Sequence, residues 1–372
     1  MRSATKDDAV TPYHSSLIKP PQPTGFAMAG SRLPAVIRLR HYYHSEVLFM
    51  YRPVFERGKP AFAGIRTFMH LHHVQTLDQV DYAVIGNPFD TGASFAIGTR
   101  FGPSAIRDMS QRIRPTNPAQ GIDSSEYLSG IDYGDLTVHP GYIEQSYEAI
   151  EEQLQPFYER GIVPIILGGD HSISYPHIRA ASRTYGPISL VHFDSHSDAW
   201  KPIEESRQFS HGSMFWHGAQ EGWIDTSSSI QMGMRGCSSL THYEETRALG
   251  FDLLTTDQVK KLGPEALCSR IKERVGSKPV FLTFDIDFLD PVFAPGTGTP
   301  EVGGFTTYEA IQMIRGLAGL NIIGFDLVEV LPDRDPTRVT ALNAAQVVYE
   351  VITLLALNKR SALERATAVV EA

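Results

Sequence analysis

Ile188-Ser-Leu-Val-His-Phe-Asp-Ser-His-Ser-Asp198 begins as an apolar run and ends in acids alternating with an imidazole. The run from Ile188 to Val191 has the length and composition of a buried strand, and the residues after it are of the kind that bind cations. Asp194, His196 and Asp198 are spaced two apart, so an extended segment places all three on one side. The pattern recurs twice. Ile162 to Leu167 leads into Gly168-Gly-Asp-His-Ser172, and Pro279 to Leu282 leads into Thr283-Phe-Asp-Ile-Asp-Phe288. Buried strands that run parallel deliver their C-terminal ends to one edge of a sheet. His171, Asp194, His196, Asp198, Asp285 and Asp287 are therefore expected to meet there.

Two imidazoles and four carboxylates cannot share a crevice, desolvated and charged, without a compensating cation. The donor set is mixed oxygen and nitrogen with no thiolate. It suits Mn²⁺, Ni²⁺, Fe²⁺ or Zn²⁺ and argues against a closed structural zinc. Two ions about 3.5–4 Å apart hold a water whose pKa falls to near neutrality, so the chemistry expected is metal-assisted hydrolysis. His192 precedes the second cluster on its strand and reads as a core histidine, not a ligand.

Taken in order, the motifs resemble the ureohydrolase family of arginases, agmatinases and guanidinobutyrases, from about Ala63 to Leu355. The carriers are Gly-Gly-Asp-His-Ser at 168–172, Asp-Ser-His-Ser-Asp at 194–198, His-Gly-Ser-Met-Phe at 211–215 and the run from Phe284 to Pro300. Pro88 to Gly92, Arg100 to Arg107 and Asp326 to Val330 match as well. The resemblance implies a three-layer α/β/α, arginase-like fold with a mostly parallel central sheet. It implies Asp194 and Asp285 bridging two ions, His171 and Asp198 completing one position, and His196 and Asp287 the other. Glu329 would grip a guanidinium, whose planar fork suits a carboxylate. His211 would carry a proton to the leaving amine, and Asp287 would accept one. Mn²⁺ is the first expectation and Ni²⁺ the alternative.

Agmatine, cleaved to putrescine and urea, leads among substrates, with guanidinobutyrate, guanidine and a biguanide of the metformin type as alternatives. A non-catalytic ureohydrolase-like subunit is the competing reading of another class. Two departures from the family pattern bear on this. Ser195 stands where the family generally has Ala, a small change expected to leave coordination undisturbed. The stretch Leu331 to Thr337 carries extra charge where the substrate is bordered.

The formal net charge of −9 leaves no basic stripe for nucleic acid. No run of 18 apolar residues predicts a membrane span. Only Cys237 and Cys268 occur, which fits a reducing, cytoplasmic setting. The family resemblance implies a homo-oligomer, trimer or hexamer, and a hetero-oligomer with a paralogous subunit stays open. Residues 1–60, with Pro12, Pro20, Pro21, Pro23 and Pro34, read as an arm packing over the body or a neighbouring subunit. Residues 61–372 read as one catalytic domain. Within it, helices are expected at Pro103 to Arg112, Tyr142 to Arg160, Ile173 to Tyr185, Thr307 to Leu317 and Ala341 to Leu357. Trp200 to Asp225 is expected to be loop, with the tail from Ser361 frayed.

Overall fold

The structure is a computed structural model that describes residues 49–55, 60–202, 208–236 and 239–371. The arm expected over residues 1–60 lies largely outside the described residues. Tyr51 and Val54 are described, and both bond to the body: Tyr51 N–H donates to Ser129 Oγ at 2.9 Å and Val54 N–H to the His70 carbonyl at 2.8 Å.

Eleven strands are present among the described residues: β1 (His72–His73), β2 (Tyr82–Gly86), β3 (Thr116–Asn117), β4 (Ile122–Asp123), β5 (Gly130–Asp135), β6 (Val163–Leu167), β7 (Ser189–Phe193), β8 (Ile230–Met234), β9 (Asp252–Thr255), β10 (Val280–Asp285) and β11 (Ile322–Val328). Nine form one sheet in the order β1-β5-β2-β6-β11-β10-β7-β8-β9, and every ladder in it is parallel. β3 and β4 pair separately as an antiparallel ribbon. β6 and β7 follow one another in sequence but stand apart in the sheet, with β11 and β10 filled in between. That is the topological switch point, where an open α/β sheet leaves a crevice beyond its strand ends.

The strands are apolar on both faces, as a doubly covered parallel sheet requires. Ile165 and Leu282 point into one buried cluster and Ile166 and Phe281 into the other. Helices α2 (Ile143–Glu159) and α3 (Ser174–Tyr185) contribute Ile150, Leu154, Phe157 and Ile178 to the second cluster. The first is closed by α1 (Gly102–Met109), α6 (Thr256–Val275), α7 (Thr307–Gly316) and α8 (Val339–Glu371). The three-layer expectation holds. α4 (Met214–Gln220) and α5 (Leu240–Ala248) complete the helices.

Two expectations need correction. Trp200 to Asp225 is not all loop, because α4 lies within it and buries Met214 and Phe215. The tail from Ser361 continues α8 as far as Glu371. Ala, Leu and Glu there are strong helix formers, and a helix already docked needs no new nucleus. By length and composition α8 could cross a membrane, yet 78% of its most apolar window is buried inside the body, as in a core helix.

The loop after β6 is packed so closely that it tolerates no side chain. A Cβ on Gly169 would lie 1.9 Å from the Phe89 carbonyl oxygen, and one on Gly168 would lie 2.8 Å from that of Leu327. Gly169→Ala is expected to push the 169–171 segment away from the 87–89 backbone that follows β2 and to cost about 1–3 kcal/mol of stability, the usual range for overpacking. Urea unfolding of the variant beside the wild-type chain measures it.

Candidate metal centre

The four strands at the switch point, β6, β11, β10 and β7, each lead within a few residues into the expected site. His171 follows β6 in a 3-10 turn capped by Asp170, whose carboxylate accepts the Ser172 N–H at 3.0 Å. The His171 N–H donates to Glu329 Oε1 at 2.8 Å, so the end of β11 fixes the backbone of a residue beyond β6. On the ring, Nε2 meets Thr283 Oγ1 of β10 at 2.8 Å. This leaves Nδ1 facing Asp198 Oδ2 at 2.9 Å, Asp194 Oδ2 at 3.0 Å and Asp285 Oδ2 at 3.3 Å. Nδ1 is buried without a hydrogen-bond partner. One nitrogen cannot satisfy three carboxylate oxygens with a proton, but one cation can be ligated by all four atoms. A ligating histidine commonly donates its other ring N–H to an oxygen, the part Thr283 can play here.

A second group shares Asp194. His196 Nδ1 lies 3.1 Å from Asp287 Oδ2 and 3.5 Å from Asp194 Oδ1. Asp287 Oδ2 is likewise buried and unpartnered. Asp194 thus turns one oxygen toward His171 and the other toward His196. The donor atoms fall into two groups of a size to hold an ion, meeting at this residue. His192 is buried, and its Nε2 lies 2.7 Å from Asp194 Oδ2. It orients a carboxylate and fills the core role expected of it, although its ring stands close enough to be counted with the first group.

The charge balance points the same way. Burial, then the neighbouring Asp287 and Asp194 charges, drive Asp285 well above the usual carboxylate range. Burial opposes charge on His171, but the carboxylates of Asp194, Asp198 and Asp285 facing Nδ1 outweigh it and hold the ring well above its ordinary value. His196 is raised likewise: burial opposes, while Asp287 and Asp194 prevail. Left to themselves these groups would share protons. Divalent ions displace protons from such clusters and supply the missing positive charge.

Beside the double cluster stands a third group. Glu329 is 1% exposed; its Oε1 accepts from His171 N–H and lies 2.8 Å from His211 Nδ1. Its Oε2 has no partner. Oε1 is thus occupied on both lone pairs, and Oε2 is the atom left to a ligand. His211 Nε2 meets Ser94 Oγ at 2.6 Å and the Ser94 amide nitrogen at 3.0 Å. Burial pulls the His211 ring down, but Glu329 more than offsets this and raises it to about 9. The Ser94 N–H acts against that rise, because only a neutral ring offers it a lone pair. Asp198 and Glu329 both have positive φ, +48° and +64°. For residues other than glycine this costs on the order of 1–3 kcal/mol and clusters at functional sites.

The six expected ligands, Glu329 and His211 are thus brought together. Sequence reasoning missed Ser94 and Thr283 as partners, and nothing in their local pattern separates them from ordinary loop and strand residues. It also missed the reach of Arg235. That guanidinium is more than half buried between loops and donates to the backbone oxygens of Gly233, Asp287, Leu289 and Glu301, tying the Asp287 turn to the 301 loop. Phe215 packs edge-on to His171 at 5.4 Å between ring centres, so it lies beneath the site. Trp200 stacks on His242 at 5.0 Å. Cys268 is buried as a free thiol, and Cys237 lies outside the described residues.

The sequence profile of the arginase family matches residues 80–353. The guanidinobutyrase of Pseudomonas aeruginosa is 38% identical over 310 residues, covering 82% of this chain and 97% of that one. The agmatinase of Proteus mirabilis is 40% identical over 281 residues, covering 75% and 89%. Among solved structures, a hypothetical agmatinase from Burkholderia thailandensis superposes with a TM-score of 0.77 at 36% identity, covering 86% of this chain and 98% of that chain.

If the two groups hold ions, Mn²⁺ at a hundred times its Kd should stabilise the chain by about 2.7 kcal/mol per independent site. Asp194→Asn, which weakens the ligand common to both, should abolish most of that gain. Thermal unfolding with and without Mn²⁺, together with the metal content of both proteins, gives the measurement.

Proposed function

The chain belongs to the arginase family, and from that premise we propose that it hydrolyses a guanidino C–N bond, releasing urea and an amine. One observation carries the reading: an unpartnered, buried Glu329 Oε2 beside two groups of metal-binding side chains that share Asp194. A non-catalytic subunit would be expected to have lost part of this set.

His171, Asp194, Asp198 and Asp285 would hold one divalent ion, and His196 and Asp287 the other, with Asp194 and Asp285 common to both. Mn²⁺ fits a set with more carboxylates than imidazoles, and Ni²⁺ is the alternative. Such ions supply a water activated near neutral pH and Lewis-acid stabilisation of the developing charge.

The chain's own residues do the rest. Glu329 Oε2 accepts an N–H from the substrate guanidinium and sets its plane, a charge-assisted contact. His211 is held by Glu329 on Nδ1 and by Ser94 on Nε2. In the geometry shown the Ser94 N–H occupies the Nε2 lone pair; once the ring is protonated that contact is given up, and the Nε2 proton passes to the departing amine nitrogen, so that a neutral amine leaves. Asp287 takes up the proton lost by the attacking water.

Agmatine is the proposed substrate, because the 211–215 and 285–300 motifs look most like agmatinases and an agmatinase is among the relatives. A second reading, a guanidino acid such as guanidinobutyrate, has its own support. The Arg334 guanidinium lies 5.6 Å from the ring centre of the exposed Phe95, next in sequence to Ser94, and would meet a carboxylate tail. Guanidine and a biguanide have no tail to place there. A cytoplasmic location and a homo-oligomer of three or six chains complete the proposal.

Urea release from agmatine, guanidinobutyrate, guanidine and a biguanide, with Mn²⁺ or Ni²⁺ supplied, tests the reading. No turnover of any of them rejects it. Glu329→Gln is expected to lower kcat/KM by about 10–100-fold, the loss of a charged hydrogen bond. His211→Asn should lower kcat by on the order of 100-fold or more. The imidazolium fraction falls as pH rises through about 9, so wild-type kcat should decline above that pH, and His211→Asn should lack this alkaline limb.

A further inference from the structure

Asp287 meets its surroundings unevenly. Oδ1 accepts two hydrogen bonds from one residue, the Ser195 N–H at 3.0 Å and the Ser195 hydroxyl at 2.7 Å. Oδ2 has none, is buried, and faces His196 Nδ1 at 3.1 Å. A carboxylate oxygen has two in-plane lone pairs, and both of those on Oδ1 are in use. The backbone of residue 287 is fixed separately, because Arg235 binds its carbonyl oxygen at 2.5 Å. What the Ser195 hydroxyl adds is control over the carboxylate alone, and this bond runs against the sequence expectation that Ser195 leaves coordination undisturbed.

We propose that the Ser195 hydroxyl confines Asp287 to a single ligating oxygen and so turns the second cation position away from Mn²⁺ and toward Ni²⁺. The inference rests on the two-ion reading above. A hard ion such as Mn²⁺ gains from each added carboxylate oxygen, whereas imidazole suits Ni²⁺. Withholding Oδ1 leaves that position weighted toward the His196 nitrogen. Ser195 is fully buried, so its hydroxyl finds no competing water, and its one proton goes to Asp287 even though His196 Nδ1 stands 3.1 Å away. The backbone N–H would persist in any variant; the hydroxyl is the half that a substitution can remove.

The test measures metal affinity, not turnover. Metal-free wild type, Ser195→Ala and Ser195→Thr are titrated with Mn²⁺ and with Ni²⁺ against a chromophoric chelator. His196→Ala marks the second position by the binding step it loses. Ser195→Ala should tighten Mn²⁺ at that position by roughly tenfold relative to Ni²⁺, the lower end of what partners of metal ligands are worth. Ser195→Thr, which keeps a hydroxyl, should retain the wild-type ratio. The affinity of the first position, at His171 and Asp198, should stay constant in both and reports that the site has folded. An unchanged ratio in Ser195→Ala, or a shift toward Ni²⁺, overturns the inference while leaving the two-ion reading intact. A wild-type chain that takes up no second ion overturns both.

Discussion

Four buried carboxylates, a buried imidazole and a half-buried one at one sheet edge are the constraint from which the rest of this structure follows. Desolvating them as ions without a counter-charge would cost several kcal/mol for each group, more than a marginally stable domain has to spare. The sheet topology gathers them regardless, because β6 and β7 flank β11 and β10 and the three ladders that join these strands are parallel. The fold thus concentrates negative charge where it also leaves a crevice. Divalent cations reconcile the two. Burial and like charge favour a proton on Asp285, and the surrounding acids favour one on His171, so a cation has to displace protons to be ligated by both.

Glu329 joins this centre to the place where a substrate would sit. One of its oxygens holds the His171 backbone and the His211 ring, and the other is left open. A single side chain therefore fixes the backbone of a proposed ligand, orients the proposed proton donor and offers an acceptor. Its left-handed backbone is the geometry that turns the carboxylate into the crevice from the end of β11. The strain is tolerable because Gly169 and Val328 are locked on either side: the Glu329 N–H donates to the Gly169 carbonyl at 2.8 Å, and Val328 pairs with Asp285.

Much of this was legible in the chain because burial and function wrote different letters at adjacent positions. In Ile162 to His171, Ile188 to Asp198 and Pro279 to Asp287, apolar runs end abruptly in metal-binding types, so strand and site were read together. The helices at Tyr142 to Arg160 and Thr307 to Leu317 were found to within a residue or two. α4 was not, since Met214 to Gln220 is short and carries Gly218 and His217, poor helix formers that only packing can hold. The long reach of α8 was missed for the opposite reason: helix-forming residues after Ser361 lack an apolar stripe, and their order comes from continuity with the buried part. Partners such as Ser94, Thr283 and Arg235 were invisible because their roles depend on contacts across 94 and 211, 283 and 171, or 235 and 287. No local spacing encodes such pairings.

Substrate identity lies in a different kind of residue again. The proposed metal ligands and Glu329 are held by strands and the turns that follow them, where a shift of one residue would bury the wrong face. The groups that would choose among guanidino compounds sit on the 88–98 and 331–337 loops, where Phe95 and Arg334 are exposed and few contacts restrain them. Loops of this kind can exchange an acid for a base at the far end of a ligand without disturbing β6, β7, β10 or β11. The chemistry of the centre and the choice of its substrate are thus under separate physical control. A chain whose ligand set is complete can still have moved to a new guanidino compound through the charge it carries between Leu331 and Thr337.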